Sequence, residues 1–252
     1  MKRLAVCLFG IAHKDGYKHF NKKMYKIDYQ ESLNNYREQI LDYFIKKNYE
    51  VDYFYSTYSS SKDQKLSTDI KPKRSVILTN WIRNRIFSRN THFINSLKSC
   101  IEYSRDTGVM YDHILIIRFD LLIKESLDSV NFNPDKLNLV SILEKPNLID
   151  DNIYLLPFDL ANGLLKVAIK NKSKMYHFIK NDLEEEFQEI NYLKNDKVSV
   201  PDLSYYDIVR NIHINKNNIK IKKIDENNTP RKFPLNPIKN KKCKRGTNLR
   251  KS

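Results

Sequence analysis

The chain has 252 residues, 40% of them hydrophobic and 12% aromatic, which is enough apolar surface for a sizeable core and excludes wholesale disorder. The formal net charge is +15, and nine of those excess charges are the Lys and Arg of residues 231–252, a stretch with no acid. Three widely spaced cysteines, Cys7, Cys100 and Cys243, exclude a disulfide framework and zinc-finger spacing, and no apolar run reaches membrane-spanning length.

Leu4-Ala5-Val6-Cys7-Leu8-Phe9 predicts a buried first strand ending at Gly10. Lys2-Arg3 ahead of it resembles the start of a signal peptide, but the run is short and no small-residue cleavage pattern follows, so the reading is a non-secreted, cytoplasmic protein. Residues 10–16 read as a loop, where glycine lets backbone approach a phosphate or a base, with His13 and Lys14 as solvated loop residues. Neither a G-x-G-x-x-G nor a P-loop pattern is present.

Leu33, Tyr36, Ile40, Leu41, Phe44 and Ile45 recur at helical spacing and predict a helix over about 28–47. Val51 to Tyr55 follows as a strand, Ser56 to Asp69 as a loop, and Ser75 to Thr79 as a third strand. Arg83, Arg85 and Arg89 are grouped closely enough to meet a diphosphate, although a solvated face explains them as well. A second helix carries Phe93, Ile94, Leu97, Cys100 and Ile101; Gly108 ends it, and His92 reads as a capping or surface residue.

Ile114-Leu115-Ile116-Ile117 is the apolar run on which the chain is organised. It is short and β-branched, as in a strand buried on both faces of a parallel sheet. Alternation then places Arg118 and Asp120 on one side and Phe119 on the other, where the strand leaves the core. Ligands of open α/β sheets bind outside the carboxyl ends of the strands. An acid there can hold a divalent metal and an arginine a phosphate, while a purely structural Arg–Asp pair is an equal alternative.

Further on, residues 137–143 and 153–156 read as strands, with a loop between them carrying Asp150 and Asp151. Residues 158–169 fit a helix with Asp159 as N-cap. Helices are expected over 173–192, with Asp182, Glu184, Glu185 and Glu186 on a solvated face, and over 200–209, with Asp202 near its start. An edge strand is expected over 219–224, and residues 227–252 read as a basic, disordered, solvated tail, with contact to anionic surfaces as the alternative.

The ordered set of Ala5 to Gly10, Tyr111-Asp112, Arg118-Phe119-Asp120-Leu121 and Asp151-Asn152-Ile153-Tyr154 resembles small glycosyltransferases of the GT-A type, of the sort encoded by large DNA viruses and bacterial polysaccharide clusters. The resemblance implies an α/β, Rossmann-like, mostly parallel sheet flanked by helices over residues 1–226, and transfer of a sugar from a nucleotide-sugar donor to a glycan acceptor. It implies Phe9, Gly10, Arg83, Arg118 and Asp120 at the donor, Asp120 on Mn²⁺ or Mg²⁺, and Asp150 or Asp151 as base or acceptor contact. Arg118 stands where that family's Asp-x-Asp motif has its first acid, so one carboxylate remains for a metal, or Arg118 itself supplies positive charge. Two other readings stay open: a GT-A-like binding module without activity, and a basic nucleic-acid binder. The second is disfavoured because the charge is concentrated in the tail and no nucleic-acid motif is present.

Overall fold

The computed structural model describes residues 1–18, 24–80, 82, 85–123, 125–140, 152–172, 180–193 and 205–207. Its centre is a seven-stranded sheet. The strands are β1 (Lys2–Phe9), β4 (Tyr49–Tyr58), β5 (Arg74–Leu78), β6 (His113–Arg118), β8 (Leu137–Leu139), β9 (Ile153–Pro157) and β10 (Ile190–Tyr192), and their order is β10-β8-β9-β6-β1-β4-β5. β1 pairs in parallel with both β4 and β6, and β5 with β4; β9 alone runs antiparallel to its neighbours. The chain is therefore α/β with a mostly parallel sheet, as its patterning implies.

The apolar run of β6 explains the layering. Ile114, Leu115, Ile116 and Ile117 are all fully buried, and alternate residues enter two separate cores. Leu115 and Ile117 pack under helices α1 (Tyr29–Tyr36) and α2 (Asp42–Ile45), which a π-helical turn over Arg37–Leu41 joins, and under α3 (Asp63–Ile70). Ile114 and Ile116 pack under α4 (Arg85–Thr107), α5 (Ala161–Asn171) and α6 (Lys180–Glu184). Each such buried aliphatic side chain contributes about 1.5–3 kcal/mol.

Local chemistry sets the helix ends. The Asp28 carboxylate accepts from Gln30 N at 3.4 Å at the start of α1. Gly108, at φ +73°, follows α4, and its N–H donates to Ser104 O at 2.9 Å.

Five expectations change. Residues 10–16 are not all loop: His13–Lys18 is strand β2, paired antiparallel with β3 (Met24–Asp28). In the expected loop 56–69, β4 extends to Tyr58 and α3 follows. The Asp63 carboxylate, holding Ser59 Oγ at 2.8 Å and Ser60 N at 2.9 Å, organises the turn into α3, and Leu66 and Ile70 give it a buried side. Asp159 makes no cap, because residues 158–160 form a 3₁₀ turn ahead of α5. In the expected helix 173–192, residues 173–179 lie outside the described residues, Lys180–Glu184 is α6, and Ile190–Tyr192 joins the sheet edge as β10. In the expected helix 200–209, Tyr205–Asp207 is strand β11, antiparallel to β7 (Leu121–Ile123). The strand expected at 219–224 and the basic tail lie outside the described residues. Among the described residues, no helix is long and apolar enough to cross a membrane.

Candidate functional site

The sheet order creates a switch point. From β1 the chain moves one way, to β4 and β5, and then α4 carries it back across the sheet to β6 on the other side of β1. Crossovers that diverge in this way leave a crevice at the carboxyl ends of the two inner strands. Here those ends are Phe9 and Arg118, which are register partners. Phe119 N donates to Phe9 O at 3.0 Å and Gly10 N to Ser56 O at 3.1 Å, so β6, β1 and β4 are tied together at this rim. Gly10 has φ +101°, and among the described residues nothing lies within 4 Å of where a Cβ would stand. Backbone conformation favours glycine there, and no described residue crowds the space over it.

Arg118 and Asp120 point to the same side, as alternation requires, toward the layer of α4. An Arg118 Nη donates to the Asp120 carboxylate at 2.5 Å, and its other Nη donates to Asn152 Oδ1 at 3.0 Å. Arg89, on the first turns of α4, reaches the same Asn152 oxygen at 3.5 Å, and its guanidinium lies 5.9 Å from the Phe9 ring centre. Two guanidiniums thus converge on one amide oxygen beside one carboxylate. Among the described residues the local balance is positive, and α4 brings the positive end of its dipole to the same edge of the sheet. Asp120 and Asn152 are buried, whereas the Arg118 side chain keeps 22% of its surface exposed. The cluster can meet an anionic group with Arg118 while the more buried carboxylate orients it.

α1 holds this turn from the opposite face. The Tyr36 hydroxyl donates to Arg118 O at 2.5 Å and accepts from Leu121 N at 3.1 Å. Ser32 Oγ donates to Phe119 O, and Asn35 exchanges bonds with the N–H and carbonyl of Ile123 at 2.6 and 3.0 Å. Burial, reinforced by the nearby Asp120 charge, holds the Tyr36 phenol well above the ordinary tyrosine range, so it remains a neutral donor. Sequence reading placed Tyr36 in a helix core and missed this clamp. An apolar-face position occupied by a hydrogen-bonding aromatic was the only available signal.

His92 is corrected from a surface residue to a buried one, 1% exposed. Its Nδ1 bonds Ser56 Oγ at 2.9 Å and its ring meets Tyr58 edge-on at 4.4 Å. Burial pushes its pKa down to about 4. The folded state therefore resists a proton that the unfolded chain takes up near pH 6.5. This contribution to stability is complete above about pH 6.5 and is lost as pH falls toward 4, amounting to about 3 kcal/mol. Chemical denaturation between pH 7 and 4 should show this slope in the wild type, and His92→Gln should flatten it.

The remaining sequence candidates separate clearly. Phe9 is buried, packed edge-on against Phe93 at 5.3 Å, and it offers the rim its backbone. His13 is buried on β2, with Nε2 3.4 Å from Asp15, rather than solvated in a loop. Asp182 and Glu185 pair with Lys170, and Glu186 with Lys166, so three of the downstream acids tie α6 and the two residues after it to α5. Glu184 pairs with Lys180 within α6. Arg83, Asp150, Asp151 and Asp202 lie outside the described residues. For a divalent metal, the described residues offer Asp120 alone at this rim, already held by Arg118. They contain no group of three His, Cys, Asp or Glu side chains able to hold an ion. Among the described residues the donor set at this rim is one carboxylate; Asp150 and Asp151, which immediately precede Asn152 in the chain, lie outside them.

No family model matches the sequence, and no curated protein matches it. Among solved structures, the chain is similar to a nucleoside-diphosphate-sugar pyrophosphorylase from Vibrio cholerae RC9. The two are 10% identical, with a TM-score of 0.47, over 81% of this chain and 95% of that one.

Proposed function

We propose that the chain is a glycosyltransferase that binds a nucleotide sugar at the β1–β6 switch point and moves the sugar to a hydroxyl of a glycan acceptor. The observation that carries this reading is the convergence of Arg118 and Arg89 on Asn152 beside the open backbone of Gly10. In that reaction the bond between the sugar's anomeric carbon and the diphosphate oxygen breaks, and a bond from that carbon to the acceptor oxygen forms. Charge gathers on the departing diphosphate, where Arg118, seconded by Arg89, supplies positive charge without reorganisation. Asp120 holds the Arg118 guanidinium in place. The acceptor proton passes to a carboxylate, a role we assign to Asp150 or Asp151. Neutralisation is assigned to the guanidiniums because Asp120 is committed to one of them, and no step here runs through Mn²⁺ or Mg²⁺.

Incubation with UDP-, GDP- and TDP-sugars, with and without Mn²⁺, should release nucleoside diphosphate from one of them, and the release should increase with a glycan acceptor. Binding of a nucleotide sugar without release would favour the inactive binding module. Affinity for nucleic acid that falls steeply with salt and is lost when residues 227–252 are removed, with no nucleotide-sugar binding, would replace the proposal altogether.

A further inference from the structure

On the face of the sheet opposite the Arg118 cluster, a cleft of about 360 Å³ lies between α1 and α3 over β4. It is at the small end of the range for small-molecule sites. Tyr53 of β4 is part of its lining, Leu33 and Ile70 are its aliphatic members, and Arg37 lies at the C-terminal end of α1. Among the described residues, the exposed Arg37 side chain makes no ion pair or hydrogen bond, and the Tyr53 hydroxyl makes no hydrogen bond. Asp69 marks the other end. It accepts from Tyr29 at 2.7 Å and Gln30 at 3.3 Å and pairs with Lys65 at 3.3 Å, all through Oδ2, which leaves Oδ1 for another donor. The Tyr29 bond, with help from Lys65 and Gln30, holds this carboxyl below the usual carboxylate range, so it stays ionised.

The backbone adds an independent observation. Arg37 opens the π-helical turn, a rare conformation that recurs at functional sites. The wider turn falls where α1 leaves the cleft, and it begins at the residue that brings the positive charge.

We propose that this cleft binds a small organic monocarboxylate with an apolar or aromatic body and an amine at its far end. The guanidinium fork of Arg37 takes the carboxylate, with Tyr53 as a second donor. Leu33 and Ile70 flank the body, and Asp69 Oδ1 takes the amine. A dianion such as a phosphate monoester is disfavoured, because a single guanidinium faces it. The site does not depend on the transfer reaction proposed above.

The test is ligand-observed NMR on the full chain with 4-(aminomethyl)benzoate, benzoate, benzylamine and phenyl phosphate. 4-(Aminomethyl)benzoate should bind saturably and most tightly of the four. Arg37→Gln, at an exposed position that leaves the fold intact, should weaken it at least tenfold. Asp69→Asn should weaken the amino compound and leave benzoate unchanged. Excess UDP, GDP or TDP should not displace the probe. Non-saturable binding, equal binding to wild type and Arg37→Gln, tighter binding of phenyl phosphate, or displacement by nucleotide would each overturn the proposal.

Discussion

Arg118→Ala is expected to destabilise the protein by about 3–5 kcal/mol, more than Asp120→Ala, although the two residues form one ion pair. The asymmetry comes from burial. The Asp120 side chain keeps 10% of its surface and the Arg118 side chain 22%. Removing the guanidinium takes a directly bonded counter-charge from a carboxylate that water barely reaches. Removing the carboxylate leaves a guanidinium that still donates to Asn152 and meets solvent. Replacing both, as Arg118→Met with Asp120→Leu, should recover part of the loss, because the two charges of this pair leave together. Urea denaturation of the four proteins measures this directly. The double variant is also the useful one for function, since it should be folded yet unable to bind a nucleotide diphosphate.

Tyr36→Phe is the second large effect. The substitution removes one oxygen, but that oxygen is bonded to both Arg118 O and Leu121 N in the buried turn that carries the site. Withdrawing it from both backbone groups should cost about 2–4 kcal/mol. Because the turn sets where Arg118 and Asp120 stand, nucleotide-sugar affinity should fall at least tenfold while the far-UV spectrum is unchanged. An alkaline signature accompanies it. Below about pH 10 the phenol is protonated in both the folded and unfolded states. Above that the unfolded chain loses this proton and the folded chain keeps it, so stability falls as pH rises. Tyr36→Phe should remove that share of the alkaline slope, and the shares of Tyr29 and Tyr111, also raised chiefly by burial, should remain.

The elements that were readable in the sequence are those whose burial leaves a pattern. Ile114–Ile117 and Leu4–Phe9 are buried on both faces and read as unbroken apolar runs. α4 shows its inward stripe at Phe93, Leu97 and Cys100. What was not readable depends on tertiary pairing. β10 and β11 are three-residue strands that exist only because β8 and β7 offer them an edge. α3 presents two buried side chains, Leu66 and Ile70, within an otherwise polar segment, too few for a period to show. The antiparallel direction of β9 leaves no mark in its own residues, which form an apolar run like that of β6. At the site, alternation was enough to put Arg118 and Asp120 on one side, because strand geometry is local. The convergence of Arg89 and Asn152 spans 63 residues, and the bond of His92 to Ser56 joins α4 to β4; neither had a local signal.

The most direct measurement is isothermal titration of the wild-type chain and the Arg118→Met/Asp120→Leu variant with UDP, GDP and TDP and with their sugar conjugates. A single-site isotherm for one nucleotide with the wild type, absent in an equally folded variant, is the predicted result. If the wild type binds none of them, or the variant binds as tightly as the wild type, then the rim of β1 and β6 does not receive a nucleotide sugar.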